Sequence, residues 1–144
     1  IIYSMFITEI CDGDSVSQKA ATTVKIEGQS EVIECTYSTT VGYYYLFWYR
    51  HYPEQQPEFI FRSYSNRDNP VKGPGFGNRF TAELHKSIPF TGLTISELVL
   101  SDSAVYYCAF TSHHSDRLHC KSRTETAFTY IHRYDLSVEL CSEI

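Results

Sequence analysis

Cysteine is placed unevenly along this chain. Cys35 and Cys108 each sit inside an alternating run, whereas Cys11, Cys120 and Cys141 lie in flanking segments. Trp48, the only tryptophan, stands between the first two in Leu46-Phe-Trp-Tyr-Arg50. In Glu31-Val-Ile-Glu-Cys-Thr-Tyr37, Ile33 and Cys35 fall on one face. In Ala104-Val-Tyr-Tyr-Cys108, Ala104, Tyr106 and Cys108 do the same. A period of two is the mark of a strand with one buried face, because successive side chains leave a strand on opposite sides.

Other runs fit the same pattern. Glu58-Phe-Ile-Phe-Arg62 reads as a strand after a turn at Tyr52-Pro-Glu-Gln-Gln-Pro57. Arg79-Phe-Thr-Ala-Glu-Leu-His85 places Phe80, Ala82 and Leu84 inward. Gly92-Leu-Thr-Ile-Ser96 places Leu93 and Ile95 on one face, with Leu98 beside them. Residues 66–78 are rich in Asn, Asp, Pro and Gly, so they read as loop or a very short edge strand. Many short strands with no amphipathic helix between them predict an all-β sandwich or barrel. A length of 144 residues suits one such domain, and 42% hydrophobic residues supply its core. Aromatics reach 15% against only 20% charged residues, a balance suited to a β-rich binding domain. With net charge -5 and no basic block, the electrostatic footprint of a nucleic-acid binder is missing. No apolar run reaches the ~18 residues that a membrane helix needs.

Trp48-Tyr-Arg-His-Tyr-Pro53, the Arg79-Phe80 strand start, Leu93-Thr-Ile and Ser101-Asp-Ser-Ala-Val-Tyr-Tyr-Cys-Ala109 resemble a T-cell receptor alpha or delta variable segment. Light chains and the immune-type receptors of fish share much of this frame. The resemblance covers about two-thirds of the chain. It implies an immunoglobulin V-set β-sandwich of Greek-key topology over residues 14–110. In such domains the two cysteines bridge the sheets and the tryptophan packs on the bridge. Here that implies a Cys35–Cys108 disulfide with Trp48 against it, within a core that holds Leu93, Ile95 and Tyr106. The bridge would contribute about 4 kcal/mol on the chain-entropy view. It also implies an oxidising compartment, hence a secreted or cell-surface protein. Tyr106, two residues before the second cysteine, matches the tyrosine-corner position. Arg79 and Asp102 match a structural ion pair that closes the lower edge.

The resemblance also implies two binding surfaces. The first hypervariable loop matches Thr39, Thr40, Val41, Gly42, Tyr43, Tyr44 and Tyr45, with Tyr45 standing open between a loop role and a structural one. The second begins near Ser63, Tyr64, Ser65 and Asn66. The third begins at Ala109 and Phe110. Loops rich in Tyr, Ser, Gly and Asn are suited to a paratope. Tyr49, His51, Pro57, Phe59 and Tyr107 match the face on which the family's partner chain packs. His51 stands where the family usually has Gln, which puts a titrating group into that contact.

Three departures matter. The Phe-Gly-x-Gly pattern of a joining segment does not follow Cys108, so strand G of the joining segment is missing from this reading. That would leave the preceding strand with an open edge. Residues 111–144 then read as a non-homologous, disordered tail, as expected of an unrearranged germline segment translated past its coding end. Its deletion should cost little stability. Residues 1–13 read as a residual leader or a misassigned N-terminus. Within the tail, His113, His114, His119, Cys120, His132 and Cys141 do not match tight metal-ligand spacings, so no metal or cofactor is expected. No phosphate loop, nucleophile elbow or paired carboxylate suggests an enzyme. No N-glycosylation sequon occurs. The expected function is recognition of peptide–histocompatibility complexes, as one chain of a heterodimer at the T-cell surface. The alternative is a non-rearranging innate immune-type receptor.

Overall fold

The computed structural model describes residues 15–18, 22–113 and 127–139. They form β1 (Ser15–Gln18), β2 (Thr22–Ile26), β3 (Glu31–Ser38), β4 (Tyr44–His51), β5 (Glu58–Tyr64), β6 (Val71–Lys72), β7 (Phe80–His85), β8 (Phe90–Ile95), β9 (Ala104–His113) and β10 (Ala127–Glu139). A 3-10 turn spans Leu100–Asp102. One sheet has the order β1-β3-β8-β7 and the other β2-β10-β9-β4-β5-β6. The expected all-β sandwich is therefore present, and β6 is the very short edge strand.

Alternation in the sequence explains the two-sided burial. In β3 every second residue is buried, beginning at Glu31 and including Ile33, Cys35 and Tyr37. In β4 the buried set is Tyr44, Leu46 and Trp48, and in β9 it includes Ala104, Tyr106, Cys108 and Phe110. Facing rows from the two sheets make the main core: Ile33, Trp48, Ile60, Phe80, Leu93, Ile95, Leu98 and Tyr106. Ala82 packs against that core while partly exposed.

The Cys35–Cys108 disulfide joins β3 to β9, closing a separation of 73 residues with the Cα atoms 6.7 Å apart. Trp48 lies directly across from Cys108 in the β4–β9 ladder. Its indole Nε1 donates to Thr91 Oγ1 at 3.1 Å, and Thr91 is the ladder partner of Cys35. The ring thus reaches from the strand beside one cysteine to the strand beside the other. Thr91 Oγ1 passes the bond on to the Glu83 carbonyl at 2.9 Å, so this fully buried polar pair is satisfied.

The edge beyond β9 requires a correction. It is not open: β10 pairs antiparallel with β9 from Ala127↔His113 to Leu136↔Ala104. β10 also pairs parallel with β2, from Asp135↔Thr22 to Glu139↔Ile26. Leu136 and Val138 are buried in the main core. Ser103 Oγ accepts from the Val138 amide at 2.8 Å, and the Glu27 amide donates to the Glu139 carbonyl at 2.7 Å. The joining-segment pattern is still absent from the sequence, yet a strand without it fills the place. A ladder needs only backbone groups and an alternation of apolar residues, and Leu136-Ser-Val138 supplies the latter. Residues 111–113 likewise extend β9 instead of starting a tail. The boundary drawn at residue 110 thus cuts through a strand. The proposed leader, residues 1–13, lies outside the described residues, as do Cys11, His114, His119, Cys120 and Cys141. His113 and His132 lie on β9 and β10.

Candidate binding surfaces

The lower end of the sandwich is built around one buried carboxylate. Asp102 is 1% exposed, and Arg79 grips it with Nη1 at 2.8 Å and Nη2 at 3.1 Å. Such a fork is the strong form of an ion pair, because both guanidinium nitrogens are used at once. Arg79 Nη1 also donates to the Ser96 and Glu97 carbonyls, at 3.1 and 3.2 Å. Hydrogen bonding to Asp102 holds the Arg79 guanidinium protonated beyond its usual range. Asp102 Oδ2 further accepts from the Val99 amide at 2.9 Å. Tyr106 closes the corner by donating to the Asp102 carbonyl at 2.8 Å. Tyr52 donates to the neighbouring Ser101 carbonyl. The expected ion pair and tyrosine corner are both in place, and they order the turn that feeds β9.

The outer face of the larger sheet carries an aromatic row. Tyr64 stacks on Tyr45 at 4.6 Å between ring centroids, Tyr45 on Phe47 at 6.0 Å, and Phe47 on Tyr49 at 6.0 Å. Tyr49 then meets Phe59 edge-on at 6.1 Å. His51 approaches the Tyr107 ring at 6.3 Å, and its Nε2 lies 2.9 Å from the Gln55 carbonyl. Tyr49, His51, Pro57, Phe59 and Tyr107 are all half-buried. The structure brings Tyr49, His51, Phe59 and Tyr107 onto one face, while Pro57 lies in the turn just before β5. It adds Phe47 to them, which the motif match passed over although its place in β4 puts it there. Burial against its neighbours raises the Tyr49 phenol pKa.

The loop end divides the residues expected there into two groups. Thr39, Thr40, Val41, Gly42 and Tyr43 form the connection between β3 and β4, and Tyr43 is 66% exposed. Tyr64 and Asn66 are accessible at the end of β5 and just beyond it. Tyr44, Ser63, Ser65, Ala109 and Phe110 are buried instead. Tyr44 begins β4, and its hydroxyl meets that of Tyr37 at 2.8 Å. Tyr37, Tyr44 and Phe110 pack together at 5.3 to 6.0 Å as a second, smaller core with Leu46. These side chains cannot present themselves to a ligand, so this part of the expected surface is corrected. The physical reason is strand parity: Tyr44 and Phe110 share the inward register of Leu46 and Cys108. Ser65 is a tie. Its Oγ accepts from the Tyr44 amide at 3.1 Å and donates to the Gly42 carbonyl at 2.9 Å. It pins the first loop to the second. Tyr45 resolves towards the sheet, as part of the outer aromatic row.

Comparison with known proteins follows the same frame. The immunoglobulin V-set domain model matches residues 18–138, a span that reaches Val138 in β10. The chain belongs to the V-set immunoglobulin family. It is 36% identical over 101 residues to a mouse T-cell receptor alpha chain V region, CTL-F3, covering 70% of this chain and 72% of that one. It is 40% identical over 95 residues to human T cell receptor alpha variable 3, with coverages of 66% and 79%. The mouse immunoglobulin omega chain is 34% identical over 101 residues, with coverages of 67% and 70%. The V-set frame is therefore of the kind found in receptor variable regions. Among the described residues no helix is long and apolar enough to cross a membrane, and no cluster of His, Cys, Asp or Glu has metal-binding geometry.

Proposed function

We infer that this V-set domain is the variable part of an antigen receptor chain of the T-cell alpha or delta type. On this reading it acts at the cell surface as half of a heterodimer. It recognises peptide–histocompatibility complexes through the loops at one end. The observation that carries the reading is the aromatic row Tyr45, Phe47, Tyr49 and Phe59 on the outer face of the larger sheet. Half-buried aromatics in a contiguous row are an interface surface more than a solvent surface, because aromatic area is what most strongly anchors protein association. The loop end is rigidly pinned through Ser65, which lowers the entropy lost when Tyr43, Tyr64 and Asn66 meet a ligand. No chemistry on the ligand is needed.

Coexpression with a receptor beta-type variable domain tests the pairing. A stable one-to-one complex by size exclusion is expected, weakened at least tenfold by the double change Tyr49→Ala and Phe59→Ala. A monomer under all conditions would sink the heterodimer reading. A second reading has one observation in its favour. The strand β10 lacks the joining-segment pattern yet lies in the same chain and completes the sheet. That is what a non-rearranging innate receptor of the V-set class would carry. A spliced transcript joining this segment to a constant region favours the first reading, and a single reading frame with its own anchor favours the second.

A further inference from the structure

The far end of the outer face, next to β6, holds a cleft of about 180 Å³. Tyr45, Arg62, Tyr64, Arg67, Asn69 and Val71 line it. Tyr45 and Tyr64 face each other in the β4–β5 ladder and stack to form its aromatic wall. Arg62, opposite Val71 in the β5–β6 ladder, holds its guanidinium 5.8 Å from the Tyr45 ring centre. Arg67 comes from the turn after β5, where its amide donates to the Tyr64 carbonyl at 3.0 Å. No carboxylate lines the cleft. Among the described residues neither Arg62 nor Arg67 has an ion pair, although Asp68 follows Arg67 directly. Arg50 and Arg79 are both paired with carboxylates. Two unpaired arginines in one cleft are unusual for a chain of net charge -5.

We propose that this cleft binds a carboxylate side chain presented by an acidic protein ligand, with Arg62 and Arg67 as its cationic clamp. A guanidinium offers two parallel N–H donors, which match the two oxygens of a carboxylate. The Tyr45–Tyr64 wall packs the aliphatic stem of a Glu, and Asn69 supplies a further polar contact at the rim. The volume suits one side chain. The choice of a protein source rests on the reading of the loop end as a protein-recognition surface, since Tyr64 belongs both to that end and to the cleft. The aromatic row runs unbroken from the cleft to the pairing face, so a ligand seated here lies beside the proposed partner chain.

The test uses the full chain with a short Glu-Gly repeat peptide, its Gln-Gly counterpart and inorganic phosphate as separate probes. The readout is the arginine side-chain NMR signals during titration. The Glu peptide is expected to shift Arg62 and Arg67 saturably, and the Gln peptide to bind at least tenfold more weakly. Arg62→Gln and Arg67→Gln should each weaken the Glu peptide at least fivefold without moving the melting temperature, and raised salt should weaken it further. Equal binding of the Glu and Gln peptides, or an unchanged affinity in both variants, overturns the clamp. Phosphate binding as tightly as the Glu peptide overturns the assignment to a protein carboxylate. Failure to pair with a second variable domain would sink the heterodimer reading and leave this titration untouched.

Discussion

Individual residues divide here by whether their polar atoms are satisfied inside or left for a ligand. Tyr37 is the clearest inside case. Its hydroxyl meets that of Tyr44 at 2.8 Å and donates to the His85 carbonyl at 3.1 Å. Burial, reinforced by that hydrogen bond, pushes its phenol well above the usual tyrosine range. Burial does the same to Tyr106. A raised folded-state pKa has a definite sign for stability. Below about pH 10 both states keep the proton and the contribution is complete. Above it the unfolded chain releases a proton that the folded chain holds, so stability falls as pH climbs towards the folded value. Urea unfolding of the protein should show a loss of up to about 1.4 kcal/mol per pH unit for each such tyrosine. Tyr37→Phe is expected to flatten that alkaline slope while costing about 1 kcal/mol at neutral pH. An identical slope in the variant would show that Tyr37 titrates as an exposed phenol. Ser63 is the opposite case, a buried hydroxyl with no partner among the described residues.

At the scale of elements, β10 decides whether the larger sheet closes. It lies between β9 and β2, so its removal exposes two strand edges and uncovers the core beside Leu98 and Ala104. Leu136→Ala is expected to cost about 2–3 kcal/mol, since the side chain is 2% exposed. Ending the chain at His113 should abolish cooperative unfolding, measured by chemical denaturation. If the shortened chain melts like the full one, β10 contributes nothing and the sheet ends at β9. A smaller element shows the same dependence on close contact. Gly73 sits against β5, where an added Cβ would lie 2.1 Å from the Phe59 carbonyl oxygen. Its amide donates to the Ile60 carbonyl at 2.7 Å, so only glycine lets the chain approach there without displacing β5.

For the whole molecule, the two sheets are held by a covalent bridge, a buried indole and the facing apolar rows. Replacing both Cys35 and Cys108 by Ala removes a loop constraint worth about 4 kcal/mol, which is comparable to the entire stability of a small domain. The double variant is expected to show no sigmoidal thermal transition. A melting temperature within a few degrees of the parent protein would mean that packing alone holds the sandwich. The three proposed surfaces adjoin on this frame, with Tyr45 at the end of the aromatic row also lining the cleft. The pairing face rests on the rigid β4–β5–β9 sheet, whereas the loop end and the cleft lie where strands give way to turns, the usual place for recognition on a stable scaffold.

The strands, the disulfide pair, the indole that fills the space beside it and the Arg79–Asp102 fork were all legible in the sequence. The strands depend on local alternation, whereas the bridge, the indole and the fork were implied by the short motifs that carry the family resemblance. The outer aromatic face was legible only in part: the resemblance pointed to Tyr49 and Phe59 but not to Phe47, although parity along β4 puts Phe47 on the side of Tyr45 and Tyr49 once Trp48 is inward. Three things were decided only by the tertiary structure. Whether Tyr44, Ser65 and Phe110 belong to loops or to a core depends on where strands end, and strand ends are set by packing against the other sheet. The cleft gathers Arg62 and Arg67 across a turn whose geometry no periodicity encodes. The last is β10. Its pairing is a non-local match of backbone groups to β9 and β2, and such ladders carry almost no sequence signature of their own. Cys108 and the run before it thus named the frame, and the segment that closes that frame could be found only in three dimensions.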